Sequence, residues 1–423
     1  MTKEYTEQRE PTHMTPQCSA LYEVEKKTRS TGARIGKLRV GDTKMSTPIL
    51  WLGHRVGGTP KPWQAFHLPG VLMNALDIFA TGQASQKARE AGINRYLGLD
   101  PSCPTLLDSG GYLYLKRNDL EADPCDILNL YEDLAPTIGA VLDYPLDPFV
   151  AIEVNQRRWQ QTLVNTRLMF ERNGHLTLMP VVHAHSVSQA QKACTELREI
   201  IGEPVIVGIG SLVPLMRTHH DGRLLVERTA GQHKSSRHLA VEVIKTVRTE
   251  FPDAFLHVFG VGGTTTMHLM FALGVDSLDS IGWRLKAGYG AIQLPGLGDR
   301  FTGNEHRRNR TLLIEDAVAK EALIECQCPV CQEHSTFERR LIALDSSFNN
   351  RALHNAWVFV QEVNAFREWV KADSVEQFVS QRLQHSPLKS LLPAVFDRIS
   401  KVDSDGWVGG FNVSEHLRDS AAL

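Results

Sequence analysis

The sequence predicts an α/β protein, a (β/α)8 TIM barrel with an inserted or C-terminal zinc-binding helical subdomain. Eight short apolar runs, each followed by Gly, Pro or polar residues, alternate with segments of helical periodicity. This alternation indicates a parallel sheet, and eight such units favour closure into a barrel. Three of the runs end on an acid, where barrel enzymes carry their reactive groups, and a cysteine cluster follows the last run.

The elements of the barrel follow from these runs. Strands are predicted near residues 46–53, 71–79, 104–108, 139–143, 178–183, 204–209, 255–260 and 275–280. Helices are predicted between them over residues 153–172, 187–201, 236–250 and 264–273. An open doubly wound sheet is the alternative, but no Gly-x-Gly-x-x-Gly motif opens the first helix, which argues against its dinucleotide-binding form.

We expect four regions along the chain. They are a polar N-terminal arm (1–30), the barrel (31–310), the zinc-binding subdomain (311–372) and a C-terminal helical extension (373–423). In the last two regions, helices are predicted over residues 311–325, 353–363 and 374–384. The apolar helix over 353–363 fits either the core or an interface between two copies of the chain.

The composition indicates a large cytoplasmic enzyme. The 423 residues accommodate a barrel of about 250 residues with additions. A net charge of −2 argues against an evenly basic coat for nucleic acid, although it allows a local basic patch. No apolar run reaches the roughly 18 residues of a membrane span, and the start, MTKEYTEQRE, has no signal-peptide core. We therefore expect no membrane partner.

Three acids follow apolar runs at predicted strand ends. Asp108 begins the run Asp-Ser-Gly-Gly-Tyr, Asp143 follows residues 140–142, and Asp279 follows residues 276–278. Because parallel strands of a barrel end at the same face, these carboxylates are expected to share one site. Each acid alone also fits a turn residue or a helix N-cap.

The cysteines predict a metal site. Cys326, Cys328 and Cys331 are clustered, and His354 follows on a predicted helix. Three thiolates and an imidazole complete a tetrahedral structural Zn²⁺ site with no place for water. The alternative is free thiols and a packed histidine; His334 lies too close to Cys331 to turn back easily. The other cysteines are scattered, which fits a reducing compartment and not a disulfide framework.

These motifs resemble the guanine transglycosylases, which exchange guanine for a 7-deazaguanine in nucleic acid. The resemblance runs from about Ala33 to His354. It rests on the three acid motifs, the Cys3His set, and the runs Leu142–Pro145, Gly208–Pro214 and Phe259–Gly262. The Gly-Ser-x-Val-Pro and Leu-Asp-x-Pro runs are more similar to the archaeal than to the bacterial branch.

The resemblance implies roles for the acids. Asp279 would be the nucleophile that attacks C1′ and forms a covalent glycosyl-enzyme intermediate. Asp108 would protonate the leaving guanine and later deprotonate the incoming base, which requires a pKa raised by burial and by neighbouring carboxylates. Asp143 would accept hydrogen bonds from the guanine edge.

The resemblance also implies a base pocket. Ser109, with Gly110 and Gly111, would contact the base, and the backbone at Ser211 and Leu212 would meet its O6 and 7-substituent. Tyr112 and Phe259, the latter followed by Gly260, would sandwich the ring, although Phe259 also fits a core position.

Three features depart from the family pattern. His183-Ala184 replaces a usual Gln-Gly; this histidine can still donate one hydrogen bond if a neighbour sets its tautomer. A metal site at His183 and His185 is disfavoured because a third ligand is missing. Leu113 replaces a common Gln, and residues 282–286 replace the bacterial Pro-Thr-Arg stretch.

The resemblance is greatest to DNA-modifying relatives. Archaeal tRNA enzymes continue into RNA-binding domains, whereas this chain ends about 70 residues past His354. The expected reaction is therefore insertion of 7-cyano-7-deazaguanine into DNA within a modification and restriction system, on a flipped base and with an ATP-driven partner. The alternatives are the same chemistry on tRNA, or a non-catalytic nucleic-acid-binding subunit, against which the retained Asp108 and Asp279 argue.

Basic residues are expected to contact the nucleic acid backbone, with a solvated loop as the alternative. These candidates are Arg284, Lys286, Arg300, Arg307, Arg308 and Arg310, with Arg339 and Arg340 nearby. The family also implies a homodimer formed through the zinc subdomain.

Overall fold

A closed ring of parallel strands forms the centre of the molecule. The computed structural model describes residues 20–79, 82–111, 122–217, 235–303 and 311–396. Its strands are β1 (Ala20–Lys27), β2 (Arg34–Val40), β3 (Thr43–Thr47), β4 (Ile49–His54), β5 (Val71–Asn74), β6 (Thr105–Asp108), β7 (Ile138–Ala140), β8 (Leu178–Met179), β9 (Val181–His183), β10 (Ile206–Gly210), β11 (Phe255–Val258), β12 (Ser277–Ser280), β13 (Ala291–Ile292) and β14 (Arg300–Phe301).

The central sheet closes into a barrel at Pro180. Its order is β8-β7-β6-β5-β4-β12-β11-β10-β9, with parallel neighbours. Only Pro180 separates β8 from β9, at the two ends of this order, because a proline has no N–H for the ladder. Its carbonyl still accepts the Gly208 N–H at 2.8 Å. The two halves form one strand of an eight-stranded barrel, which confirms the predicted fold class.

Helices follow most barrel strands. They are α1 (Ala75–Phe79), α2 (Gly82–Ala91), α3 (Ile93–Leu97), α4 (Pro124–Leu134), α5 (Ile152–Arg172), α6 (Val187–Ile201), α7 (Val213–Met216), α8 (Ser236–Glu250), α9 (Thr266–Ala272), α10 (Gly282–Gly288), α11 (Ala317–Ile324), α12 (Pro329–Gln332), α13 (Phe337–Ser346), α14 (Phe348–Lys371), α15 (Val375–Arg382) and α16 (Leu392–Phe396). The four helices predicted between barrel strands are all present, with ends within two residues of the prediction.

Side-chain caps explain where several helices begin. Ser186 accepts a hydrogen bond from the Gln189 N–H at the start of α6, and Asp316 accepts one from the Ala319 N–H at the start of α11. Thr336 and Ser347 cap α13 and α14 in the same way. Each cap satisfies a backbone N–H that the first turn of a helix leaves without a partner.

An antiparallel sheet of β1, β2 and β3 closes the lower end of the barrel. Leu38 and Met45 of this sheet join one buried cluster with Trp51 and Phe255 of the barrel lumen. Residues 20–27, which we expected in a polar arm, form β1 instead. Their inward and outward positions alternate, so Tyr22 faces protein while Glu23 faces solvent. Residues 1–19 lie outside the described residues.

The C-terminal region packs helices beside the barrel. The predicted helix 374–384 corresponds to α15, while the helix predicted over 311–325 is shorter, as α11. The helix predicted over 353–363 is the central part of the longer α14, whose buried face includes Phe359 and Phe366. Within the described ranges, no helix combines the length and apolar character that a membrane crossing requires.

The buried carboxylate of Asp276 ties the lower sheet to the barrel. It lies 2.6 Å from Arg34 and 2.7 Å from Arg248, and it accepts hydrogen bonds from the Tyr22 hydroxyl and the Leu256 N–H. Burial alone would raise the pKa of Asp276, but Arg248 and Arg34 hold it below its usual value. The residue is fully buried, so these partners replace water as its solvation.

Replacing Asp276 with Asn should strongly destabilise the fold. The variant leaves two buried guanidinium groups without their counter-charge, which we expect to lower the free energy of unfolding by about 3–5 kcal/mol. Urea denaturation at neutral pH measures this change. The exposed Asp42→Asn variant is the control, and equal stability of both variants would contradict the assignment.

Candidate active site and metal centre

The structure brings the three predicted acids together at the upper mouth of the barrel. Asp108 is the last residue of β6, Asp143 follows β7, and Asp279 lies in β12. Burial raises the pKa of Asp108 to about 8, with further contributions from the negative charges of Asp143 and Asp279. The Asp108 residue keeps some exposed surface, but protein atoms enclose its carboxyl group. This carboxyl group is therefore mostly protonated at neutral pH and suited to donate a proton.

Asp108 is oriented by a neighbouring strand. The Asn74 side-chain amide, at the end of β5, donates to Oδ2 of Asp108 at 3.2 Å. Asn74 also accepts the N–H of Leu76 through its Oδ1, which fixes the amide orientation. Sequence reasoning missed Asn74, although its place at a strand end next to an acid-bearing strand was a usable signal.

The two glycines after Ser109 are required by close packing. Gly110 has φ of 92°, and a Cβ there would lie 2.7 Å from the Leu76 side chain. A Cβ at Gly111 would lie 2.4 Å from the Asp143 carbonyl oxygen. Tyr112 lies outside the described residues, and so does Leu113.

Asp143 is held by two side chains. The Ser109 hydroxyl donates to its Oδ1 at 2.9 Å, and Nε2 of His183 lies 2.9 Å from its Oδ2, outside the directional geometry of a hydrogen bond. Ser109 is fully buried. Its hydroxyl therefore supports Asp143 here, whereas the family resemblance implied a direct contact with the base.

Ser211 is the hydrogen-bonding neighbour of Nδ1 of His183. The Ser211 hydroxyl oxygen accepts the Leu146 N–H at 2.7 Å and lies 2.9 Å from Nδ1 of His183. Where the Ser211 hydroxyl donates its proton to Nδ1, the proton of a neutral imidazole lies on Nε2, the nitrogen that faces Asp143. Ser211 has φ of 65°, while the Leu212 side chain is buried in the core.

His185 supports the same loop without a metal. Burial lowers its pKa to about 4, and its Nε2 lies 3.2 Å from the Ser211 carbonyl oxygen, to which a neutral ring donates. Among the described residues, the only cluster with metal-ligand geometry is the Cys3His set.

Asp279 is anchored through one carboxylate oxygen. The Gly260 N–H donates to its Oδ1 at 2.6 Å, and the Gly262 N–H donates to its carbonyl oxygen at 3.1 Å. Gly260 has φ of 73°, a conformation that few side chains tolerate. Within the described part of the chain, Oδ2 has no hydrogen-bond donor. That oxygen is free to act as a nucleophile.

Phe259 forms one wall of the site above the lumen. Its ring meets the His257 ring edge to face, with 4.3 Å between centroids. A Cβ at Gly208 would lie 2.7 Å from the Phe259 ring, so the glycine makes room for it. Phe259 is half-buried. One part of its ring packs against the core, and the rest lines the site. His257 was missed by sequence reasoning, although alternation along β11 places it below Phe259.

Several residues predicted to contact nucleic acid already have protein partners. Arg284 donates to the Thr59 carbonyl and lies over the Phe348 ring at 5.3 Å. Lys286 pairs with Asp299.

Other predicted contacts lie nearer the metal centre. Arg300 pairs with Asp316 at 2.7 Å, and Arg340 donates to the carbonyls of Leu323, Ile324 and Cys326. Arg307, Arg308 and Arg310 lie outside the described residues. A phosphate would compete with the existing partners of the placed residues, so their role in nucleic-acid binding stays a prediction.

The predicted cysteine and histidine ligands form a compact metal centre. Nδ1 of His354 lies 3.5 Å, 3.4 Å and 3.6 Å from the Sγ atoms of Cys326, Cys328 and Cys331. Metal–sulfur and metal–nitrogen bonds of about 2.3 and 2.1 Å at a tetrahedral angle place these atoms about 3.6 Å apart.

The surroundings of His354 also fit metal binding. Its Nε2 lies 3.0 Å from the Gln293 carbonyl oxygen, so the ring proton points there and Nδ1 keeps its lone pair for a metal. His354, Cys328 and Cys331 are fully buried, and the donor set is complete without water. The residues therefore fit a closed structural metal site.

The chain is similar to known proteins over most of its length. The family described as queuine tRNA-ribosyltransferase matches residues 28–387. The tRNA-guanine(15) transglycosylase of Thermococcus onnurineus is 26% identical over 369 residues, covering 86% of this chain and 57% of that protein. The proteins of the same name from Methanocaldococcus jannaschii and Methanosarcina mazei are each 25% identical, with 52% and 68% of their lengths covered. The chain thus spans a little over half the length of the first and second of these relatives.

The Asp108→Asn variant should change how stability depends on pH. Because the folded pKa of about 8 exceeds the unfolded value of about 3.9, the unfolded state releases its proton first, and wild-type stability falls as pH rises from about 4 to 8. The variant has no proton to lose and should gain about 2–4 kcal/mol over wild type between pH 4.5 and 7.5. Urea unfolding at both pH values measures this, with Asp133→Asn as control; parallel profiles would refute the raised pKa.

The Cys331→Ser variant should lose the metal ion and much of its stability. Metal binding by buried thiolates is part of the folding free energy, so we expect the melting temperature to fall by about 10 °C or more. Elemental analysis of the purified protein gives the metal content, and calorimetry gives the melting temperature. Cys125→Ser, outside the cluster, should retain both; wild-type protein without bound metal would disprove the centre.

Proposed function

Since the chain belongs to the queuine tRNA-ribosyltransferase family, we propose that it exchanges a guanine base in tRNA for a free 7-deazaguanine. The observation that carries this proposal is the division of labour among the acids at the barrel mouth. Asp108 has a raised pKa, whereas Asp279 is held through Oδ1 by the Gly260 N–H at 2.6 Å, and its Oδ2 has no donor among the described residues. A proton donor and a carboxylate nucleophile are the two groups that base exchange requires.

The proposed reaction proceeds in two displacements. Oδ2 of Asp279 attacks C1′ of the ribose, the bond from C1′ to N9 of guanine breaks, and Asp108 gives its proton to the leaving base. The sugar is then held as an ester of Asp279. The incoming base loses its N9 proton to Asp108, its nitrogen attacks C1′, and the Asp279 carboxylate leaves. Two inversions retain the configuration at C1′.

Asp143 supports recognition of the base. The Ser109 hydroxyl donates to its Oδ1 at 2.9 Å, and Nε2 of His183 lies 2.9 Å from its Oδ2. An ionised carboxylate in this position accepts the N1–H and 2-amino donors of a guanine edge, which adenine does not offer in the same arrangement. Because 7-deazaguanines share that edge, one pocket serves both the leaving and the incoming base.

The relatives favour tRNA over DNA as substrate. The similar archaeal proteins carry the name tRNA-guanine(15) transglycosylase. The sequence alone predicts insertion of 7-cyano-7-deazaguanine into DNA with an ATP-driven partner. The names of these relatives do not support that prediction. DNA is therefore the second substrate to test in the exchange assay. The groups at the barrel mouth would contact the guanine base, and both RNA and DNA contain guanine.

We assign Zn²⁺ to the Cys3His centre. Three thiolates and one imidazole at tetrahedral spacing are the donor set that structural zinc prefers. Zn²⁺ there would join the loop around Cys326 to α14 through His354. The closed donor set gives it no part in the base exchange, which the barrel acids perform.

The Asp279→Asn variant should lose base exchange and keep nucleic acid binding. An amide oxygen is a poor nucleophile, so we expect the exchange rate to fall by about a thousandfold or more. The assay follows incorporation of labelled guanine and labelled 7-cyano-7-deazaguanine into bulk tRNA and into plasmid DNA in parallel. Ser390→Ala, on the exposed C-terminal surface, is the activity control.

The two substrates give distinct results. Incorporation into tRNA supports the proposal, and incorporation into DNA alone would replace tRNA by DNA. A wild-type rate in Asp279→Asn would remove Asp279 from the nucleophile role. No incorporation into either polymer by the wild type, with binding intact, would identify a non-catalytic binding subunit.

A further inference from the structure

A chain of polar side chains runs through the barrel lumen and ends beneath Asp279. The indole N–H of Trp51, in β4, donates to the Ser277 hydroxyl at 2.7 Å. The same hydroxyl lies 2.7 Å from Nδ1 of His257, and Nε2 of His257 lies 3.5 Å from Oδ1 of Asp279. Trp51, Ser277 and His257 are fully buried. The indole, the hydroxyl and Nδ1 of His257 therefore satisfy one another, while Nε2 of His257 is buried without a hydrogen-bond partner in the part of the chain that the structure describes and faces Asp279.

The donors along this chain determine where the His257 proton lies. An indole nitrogen only donates, so the Ser277 oxygen must accept there and has one proton left to give. Among the described residues, Nδ1 of His257 is its one acceptor within hydrogen-bonding distance. Nδ1 therefore carries the lone pair, and the neutral imidazole carries its proton on Nε2, which faces Asp279.

We propose that His257 is a positioning residue for the nucleophile, a role that rests on the proposed base exchange. Its Nε2–H and the Gly260 N–H approach the same oxygen, Oδ1 of Asp279, at 3.5 Å and 2.6 Å. Two donors on Oδ1 fix the rotation of the carboxylate. Oδ2 is then the oxygen that faces the sugar.

The arrangement favours the carboxylate at both ends of the reaction. Asp279 is charged before it attacks C1′ and again when the incoming base releases it. A preorganised donor on Oδ1 stabilises that charge without solvent reorganisation. The present 3.5 Å exceeds the usual length of an N–H···O bond, and catalytic hydrogen bonds of this kind commonly shorten in the complex with substrate.

A purely structural role for His257 makes a different prediction. The ring packs against Phe259, and any side chain that fills this space would serve such a role equally. Positioning instead requires a donor at the place of Nε2. The two amide residues separate these roles, because Gln puts its N–H near that place, whereas Asn puts it near Nδ1 and Ser277.

The experiment compares His257→Gln with His257→Asn in the labelled-base assay. We expect His257→Asn to lower kcat by about 10- to 100-fold with KM within about twofold, since one preorganised donor is lost. His257→Gln should stay within about fivefold of wild type. Val164→Ala, on the exposed face of α5, is the matched surface control, and thermal unfolding verifies the fold of each variant.

Equal loss of kcat in both folded variants, or wild-type kcat in His257→Asn, overturns the positioning role. Long-range ¹⁵N–¹H spectra of histidine-labelled protein supply a readout that does not depend on activity. Wild-type His257 should be the Nε2–H tautomer, and Ser277→Ala should shift it toward Nδ1–H. If the wild type exchanges no base, the proposed function fails, and this spectrum alone decides: an Nδ1–H ring in the wild type overturns the inference.

Discussion

The buried ion pairs of Asp276 determine where the Asp279 carboxylate lies. This residue is joined to β2 through Arg34 and to α8 through Arg248, and it lies three positions before Asp279 along the chain that forms β12. A strand rises about 3.3 Å per residue, so anchoring Asp276 at the lower end sets the height of Asp279 at the mouth. The register of β12 therefore determines both the packing at the lower end of the barrel and the position of Asp279 at its mouth.

The three carboxylates at the barrel mouth lie close enough for Asp143 and Asp279 to add to burial in raising the pKa of Asp108. Burial raises the free energy of ionising Asp108, and the negative charges of Asp143 and Asp279 raise it further. The pKa of about 8 means that this carboxyl retains its proton at neutral pH. Asp143 accepts a hydrogen bond from the Ser109 hydroxyl, and Asp279 accepts one from the Gly260 N–H. The groups around the three acids, rather than the acids themselves, thus make their environments differ.

Local patterns made much of this predictable, and distant contacts did not. The barrel strands, the acids at their ends and the metal ligands each show in a short stretch of sequence. Strand β1 escaped prediction because charged residues alternate with Tyr22, whose hydroxyl partner Asp276 lies far along the chain. Asn74 and His257 are recognised as site residues only once the neighbouring strands place them beside Asp108 and Asp279. The acids at the barrel mouth do not distinguish RNA from DNA.

The break at Pro180 divides the barrel mouth into two unequal walls. Asp279 stands between β4 and β11, where the ladder is continuous, while His183 ends β9 just past the one barrel position without an N–H to share. Pro180 shares its carbonyl with the Gly208 N–H but donates no hydrogen bond to the ladder. The His183 side of the mouth therefore stands on a strand with a gap in its ladder, whereas Asp279 stands on a strand without one.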